Sequence, residues 1–353
     1  MPIEISRVKP VLRCWAEIDL DALRGNLTWI RQRVGAGVRV MTVVKADAYG
    51  HGLKQIAGVL MQSGTDVFGV ANLTEARTIR GVGPGWPVLM LGACLPEEIE
   101  QAVKDEVMVT VSSLAEAESF AAAAKKTKRK ARLHLKVDTG MGRLGCAPEQ
   151  AEELIARLDA LPEVSLVGLY THFASVEDEF HYTQRQRTVF GKLLSALAIK
   201  GRSFEYLHAN NSAAILLEEP GPYNLVRPGL LVYGVLPAGR RKIQLTAADH
   251  VRPVLSLKCR VTQVKEVPKG SRLSYGGIYT TTRPTRVATV SAGYGDGYLR
   301  AGSERANVLI GGERCPVLGR ITMDQMLVDV TKLPAAQAGD EVVLIGRQGD
   351  QEL

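Results

Sequence analysis

Between about residues 40 and 240 the chain alternates a short, largely β-branched apolar run with a stretch of helical spacing. The strand candidates are VMTVVKA, DVFGVAN, WPVLMLG, VMVTV, RLHLKVD, SLVGLYTH, EYLHANN and NLVRPGLLVYG. Helical stretches such as LTEARTIRGV, PEEIEQAVKD, PEQAEELIARLDAL and TQRQRTVFGKLLSALAIKG lie between them. Strands that alternate with helices argue a parallel sheet, and eight of them close a (β/α)8 barrel. An earlier WAEID followed by DALRGNLTWIRQRV adds one strand and one helix in front, and the pattern assigns that strand no partner.

After about residue 244 the grammar changes. VLSLKCRVTQVKEV, RVATVSAGYG, ANVLIGG and DEVVLIGR follow one another without helices, separated by the turn signals PKGS, IGGE and AGDE. The expectation is a barrel over residues 1–243 and a second, β-rich domain over 244–353. An apolar content of 46% with 23% charged residues fits ordinary globular domains with a sizeable core.

The net charge of +7 is modest for 353 residues. Its densest basic run, KKTKRK (Lys125–Lys130), follows the alanine-rich SFAAAA and has no aromatic residues interleaved. That reads as a solvated helix end, not a nucleic-acid surface. Five widely spaced cysteines without a C-x-x-C pair suit reduced thiols, and argue against a disulfide framework or a metal site. No apolar stretch is long enough for a membrane span, and the N-terminus lacks the apolar core of a signal peptide. A cytoplasmic location is expected.

Within the repeat, VVKADAYGHG (residues 43–52) ends an apolar run on Lys45, where packing alone would not place an amine. Other polar residues also fall at the carboxyl ends of strands: Lys136 and Asp138, His172, His208 with Asn210 and Asn211, and Arg227. In a (β/α)8 barrel that end carries the chemistry, and the loops after strands seven and eight hold phosphate. There Asn211, Ser212, Gly229 and Leu230 offer a hydroxyl and backbone N–H groups. A strand-end lysine able to form a Schiff base, set beside a phosphate cradle, suggests pyridoxal phosphate (PLP).

VVKADAYGHG, KVDTGMGRLG, THFA, ANNSAA, VRPGLLVYG, LSYGGIYT, SAGYGDGY and ITMDQ occur here in the order of the alanine racemases, the fold-type III PLP enzymes, and the chain resembles that family from about residue 11 to 349. The resemblance implies a PLP barrel plus a β domain, an obligate homodimer, and interconversion of L- and D-alanine for peptidoglycan. It makes Lys45 the cofactor-bearing lysine and one acid/base. Tyr275 of the β-rich domain is the second, on the opposite face of Cα. A lysine or a phenol serves as base near neutral pH only where its surroundings favour the deprotonated form. His172 and Arg227 are candidates for the positive field a phenolate would need.

By the same resemblance Arg227 faces the pyridine nitrogen. An arginine only donates, so that nitrogen must accept, which weakens the ring as an electron sink. A related decarboxylase would place an acidic residue there. The resemblance also puts Arg143 near the substrate carboxylate, Tyr49 on the phosphate, and Tyr294 at the substrate entrance. Met323 and Asp324 match a loop lent by the partner subunit, and Lys136 matches a lysine that is often carbamylated. Family members usually continue past the LIGRQG strand into a further helix and a segment with a Tyr-Glu pair, whereas this sequence ends at Leu353. Two other readings share many of these residues: a racemase of another amino acid such as serine, and a non-catalytic PLP-binding barrel, which would lack the second domain.

Overall fold

The computed structural model describes residues 11–218, 220–240 and 250–353. The chain forms two compact units, one from Leu20 to Val254, the other combining the residues up to Asp19 with Leu255–Leu353. The expected boundary between 243 and 244 lies outside the described residues.

In the first unit, eight parallel strands pair in sequence order and close on themselves. They are β2 (Arg39–Val43), β3 (Val67–Val70), β4 (Val88–Met90), β5 (Met108–Val111), β6 (Ala131–Lys136), β7 (Val164–Tyr170), β8 (Tyr206–Asn211) and β9 (Leu225–Arg227). The closing pair is β2 with β9, in the register Arg39 to Leu225. Strands buried on both faces need apolar residues at nearly every position; VFGV carries no polar side chain, and the one in MVTV, Thr110, is hydrogen-bonded to Met90 O and the Tyr170 hydroxyl. Met41, Val67, Leu89, Met108, Val167, Tyr206 and Leu225 pack together as one core cluster.

The outer helices start where the sequence supplies caps. Asn72 Oδ1 accepts from Glu75 N–H at the start of helix Leu73–Val82, and Ser113 Oγ accepts from Glu116 N–H at the start of Leu114–Thr127. The latter helix ends on Lys125 and Lys126 with Lys128 in a left-handed cap, so the basic run is a helix end, as expected.

The second unit is built on β10 (Leu255–Val267), which bends at two irregularities, between Val261 and Gln263 and between Leu257 and Lys258. From it the antiparallel pairing runs through Thr285–Val290, Met326–Asp329, Glu313–Leu318, Asn307–Ile310 and Glu341–Ile345, then returns to β10. Val261, Ala288, Val308, Val328 and Val342 form part of its core.

The leading strand corrects the sequence-based division. WAEID does not belong with residues 1–243: β1 (Cys14–Ile18) pairs antiparallel with β10, from Cys14↔Cys259 to Ile18↔Leu255. Lys258 joins it through an ion pair to Glu17 at 2.7 Å, and the Arg260 guanidinium lies over the Trp15 ring at 5.2 Å. Backbone hydrogen bonding selects an edge wherever the chain presents one, and neither proximity in sequence nor side-chain pattern reveals which.

Candidate active site

Lys45, Tyr49, Lys136, Arg143, His172, Asn211, Ser212, Arg227, Gly229 and Leu230 all line one cavity of about 460 Å³ at the carboxyl ends of the barrel strands. Ten barrel residues singled out from the sequence therefore share one cavity, while Asp138, His208 and Asn210, also at strand ends, do not line it. Tyr170, Leu91 and Glu177 join the lining without having been singled out.

Lys45 enters through an unusual backbone. After β2 the residues Ala46, Asp47, Ala48 and Tyr49 take φ of 53° to 55°, one turn of left-handed helix with no glycine in it. An L-residue loses roughly 1–2 kcal/mol in that conformation, so the turn stores on the order of 4–8 kcal/mol. Such strain persists where surrounding bonds impose it, and it concentrates at functional sites. The turn sets both Lys45 and Tyr49 on the cavity wall.

Arg227, at the end of β9, is 3% exposed and organises the floor. Its Nη1 donates to His208 Nδ1 at 2.7 Å. Its Nη2 donates to His172 Nδ1 at 3.0 Å, Ala209 O at 2.8 Å and Thr171 O at 3.0 Å. A guanidinium has no acceptor, so both imidazoles must accept at Nδ1 and carry their proton on Nε2. His208 Nε2 in turn donates to His134 Nδ1 at 3.0 Å, which fixes a third tautomer. The His134 Nε2 is buried without a partner among the described residues. Gly168 makes room for that ring, since a Cβ there would collide with it.

Burial and the Arg227 charge hold His172 and His208 well below the usual imidazole range. Burial, with Arg132 and Arg227, brings His134 to about 3. All three rings are neutral at pH 7, as the bond directions require. Arg227 itself, lowered by burial to about 10, remains a cation.

Tyr170 lies in the middle of this cluster. Its ring stacks on His208 at 4.5 Å, with Arg227 5.3 Å and Lys136 Nζ 5.8 Å from its centroid. Its place as the last residue of β7 was the available sequence signal.

Lys136 is 2% exposed. Burial, then the positive charges of Arg143, Arg227 and Lys45, pull its amine down to about 8, against an opposing pull from Asp138. Asp138 also shapes the loop that carries Arg143: its carboxylate accepts from the N–H groups of Gly140, Met141 and Gly142 at 2.8–3.1 Å.

Two of the residues expected to form a phosphate cradle, Ser212 and Gly229, are hydrogen-bonded to one another. Ser212 Oγ accepts from Gly229 N–H at 2.9 Å and Leu231 N–H at 3.2 Å, so the Gly229 amide is already engaged. The Ser212 hydroxyl proton remains to donate. Gly229 supplies space: a Cβ there would fall 2.5 Å from the Tyr49 hydroxyl. Asn211 spends its side-chain oxygen on the N–H of Ala214, as a helix cap. A serine hydroxyl, a tyrosine hydroxyl and a glycine-cleared wall fit a phosphate, and Lys45 on the same cavity fits an aldehyde partner. These residues would fit PLP.

The remaining site residues belong to the other unit. Tyr275 stands in a tight turn between Ser274 (φ 60°) and Gly276 (φ 76°) and is 72% exposed. It shares a groove with Arg320, Thr322 and Met326. Tyr294 N–H donates to Thr322 O at 3.0 Å and Gly295 N–H to Met323 O at 2.7 Å, which ties the Tyr294 turn to the Met323–Asp324 loop. Met323, Asp324 and Tyr294 are exposed.

Comparisons with known proteins point to one family. Residues 18–237 match the family model for the alanine racemase N-terminal domain, and 254–353 that for the alanine racemase C-terminal domain. An alanine racemase of Halothermothrix orenii is 39% identical over 340 residues, covering 96% of this chain and 89% of that protein. The structure of alanine racemase from Clostridium difficile 630 superposes with a TM-score of 0.90 at 36% identity, covering 98% of this chain and 89% of the other. That of alanine racemase from Bartonella henselae with covalently bound pyridoxal phosphate gives a TM-score of 0.85 at 30% identity, with coverages of 96% and 91%.

Proposed function

The chain belongs to the alanine racemase family of isomerases, and from that premise we propose that it interconverts L- and D-alanine by a two-base route that uses PLP. The observation that carries the proposal is the convergence of ten sequence-selected residues on one cavity, with Lys45 held at its wall by a strained turn. When bound, PLP would supply the electron sink that acidifies the substrate Cα–H.

The chain's own residues do the rest. Lys45 would hold the cofactor's aldehyde carbon, while Tyr49 and Ser212 would hold its phosphate. Arg227, fixed by four hydrogen bonds and charged at neutral pH, would present donors only, and so would keep a proton off the pyridine nitrogen. That restraint favours return of the proton to Cα over its misdelivery to the cofactor. Arg143 would grip the substrate carboxylate, for which a guanidinium fork is the natural partner. Lys45 would move the proton on one face of Cα and Tyr275 of a second subunit on the other, which makes a homodimer with shared sites part of the proposal. Met323, Asp324 and Tyr294 would then edge the entrance.

The neutral fraction of the Lys136 amine, enlarged by its lowered pKa, would attack carbon dioxide. An N–C bond forms, one proton leaves, and the resulting carbamate anion would face Arg143. The D-alanine made would supply peptidoglycan, from an enzyme working in the cytoplasm.

The test is incubation with L-alanine in heavy water in the presence of PLP. D-Alanine bearing deuterium at Cα is the expected product. Solvent deuterium in neither enantiomer, with PLP verified on the protein, contradicts the proposal. Side-by-side rates with L-serine decide whether alanine is the preferred substrate.

A further inference from the structure

The left-handed turn after Lys45 needs something to hold it. On its far side the holding is local. Ala48 N–H donates to Val44 O at 2.9 Å and Gly52 N–H to Asp47 O at 3.0 Å. Leu53 N–H donates to Asp47 Oδ1 at 2.7 Å. On the near side, beside Lys45, the holding comes from a residue distant in sequence. Ala46 N–H donates to Glu75 Oε1 at 2.7 Å, and Ala71 N–H donates to the other oxygen, Oε2, at 2.8 Å.

One carboxylate thus bridges the amide that follows Lys45 and the amide just past the end of β3. Glu75 is itself seated in the first turn of helix Leu73–Val82, where its own N–H donates to Asn72 Oδ1 at 2.9 Å. Lys45 and Ala71 both line the cavity.

We propose that Glu75 is a positioning residue: its two carboxylate oxygens clamp the left-handed turn and so fix the direction in which Lys45 enters the cavity. The proposal rests on the reading of Lys45 as the cofactor-bearing lysine. A carboxylate is the group the geometry calls for, because both of its oxygens accept and neither donates when ionised. A carboxamide would turn an NH2 donor against one of the two backbone N–H groups. With that bond lost, the turn is free to leave its sterically disfavoured conformation, and the amine loses its fixed aim.

The experiment compares wild type, Glu75→Gln, Glu75→Asp and Ser113→Ala as full-length protein. Ser113→Ala removes a helix cap elsewhere on the barrel and controls for general destabilisation. Two quantities are read: amide hydrogen exchange of the cofactor-free protein, and the rate at which added PLP becomes borohydride-trapped on Lys45, located by peptide mapping. For Glu75→Gln the amides of residues 46–49 and 71 should exchange at least ~10-fold faster while the rest of the barrel is unchanged, and trapping on Lys45 should slow by a similar factor.

Glu75→Asp, which keeps the charge but is one methylene shorter, should fall between, and it carries the test if the glutamine variant does not fold. Ser113→Ala should match wild type in both readings. Wild-type exchange at Ala46 and Ala71 in the Glu75 variants overturns the proposal. So does faster exchange with unchanged trapping. If PLP is trapped on another lysine in the wild-type protein, it is the reading of Lys45 that fails, and the exchange rates still decide whether the clamp exists.

Discussion

Single residues explain how a barrel lined with so many cations stays chemically useful. Lys136 shares its cavity with Lys45, Arg143 and Arg227, and burial with these charges holds its amine at about 8 where a lysine ordinarily titrates at 10.5. Below about pH 8 both folded and unfolded chains carry the proton, and the folded state bears the full electrostatic cost. Between about 8 and 10.5 the unfolded chain binds more proton than the folded one, so stability rises with pH. The rise should be on the order of 3 kcal/mol. Urea denaturation of cofactor-free protein in CO2-free buffer across that range should show it, and Lys136→Met should remove it. A second expectation concerns Lys45: Lys45→Ala should abolish both racemisation and borohydride-reducible PLP. A reducible PLP adduct on some other lysine of that variant would show that Lys45 had been misassigned. Most of these residues were legible in the sequence, because a polar residue ending an apolar run is out of place and the motifs around it are distinctive. Tyr170 was not singled out, since a tyrosine ending a strand acquires its role only from His208, Arg227 and Lys136 arriving around it. The left-handed turn was illegible too, because Ala-Asp-Ala-Tyr contains no glycine to announce positive φ.

At the scale of elements, strands β6 and β8 do more than close the barrel. They place His134 and His208 side by side, with His172 just beyond β7, as three neutral rings that hold Arg227 directly or through one another. Each ring accepts a proton more readily in the unfolded chain. Stability is therefore fully present above about pH 6.5 and falls as pH drops through that value towards the lowered folded pKa values. Denaturation of the cofactor-free protein between pH 7 and 5 should show a steep loss, and His134→Phe should make that slope shallower. Eight strand–helix alternations made the barrel readable from sequence. The partner of β1 was not readable, because an apolar-polar alternation states which face is buried and not which strand lies alongside. Since β1 pairs with β10, deleting residues 1–18 should speed hydrogen exchange at those amides of residues 255–259 that face β1, while β2–β9 keep their protection.

For the whole molecule, the site residues fall in two units, with Lys45 in one and Tyr275, 72% exposed, in the other. Both units match the family models over nearly their full extent, so the chain carries both halves of the proposed chemistry. In a two-fold dimer each site would take its lysine from one subunit and its tyrosine from the other. The most direct test of that account mixes Lys45→Ala and Tyr275→Phe proteins, each nearly inactive alone, and lets them exchange subunits at concentrations that keep the dimer populated. Half of the dimers become heterodimers, in which one site carries both lesions and the other carries neither. Racemase activity should recover to roughly a quarter of that of the wild type. Activity that stays at the level of the separate variants, with subunit exchange verified independently, would contradict that account.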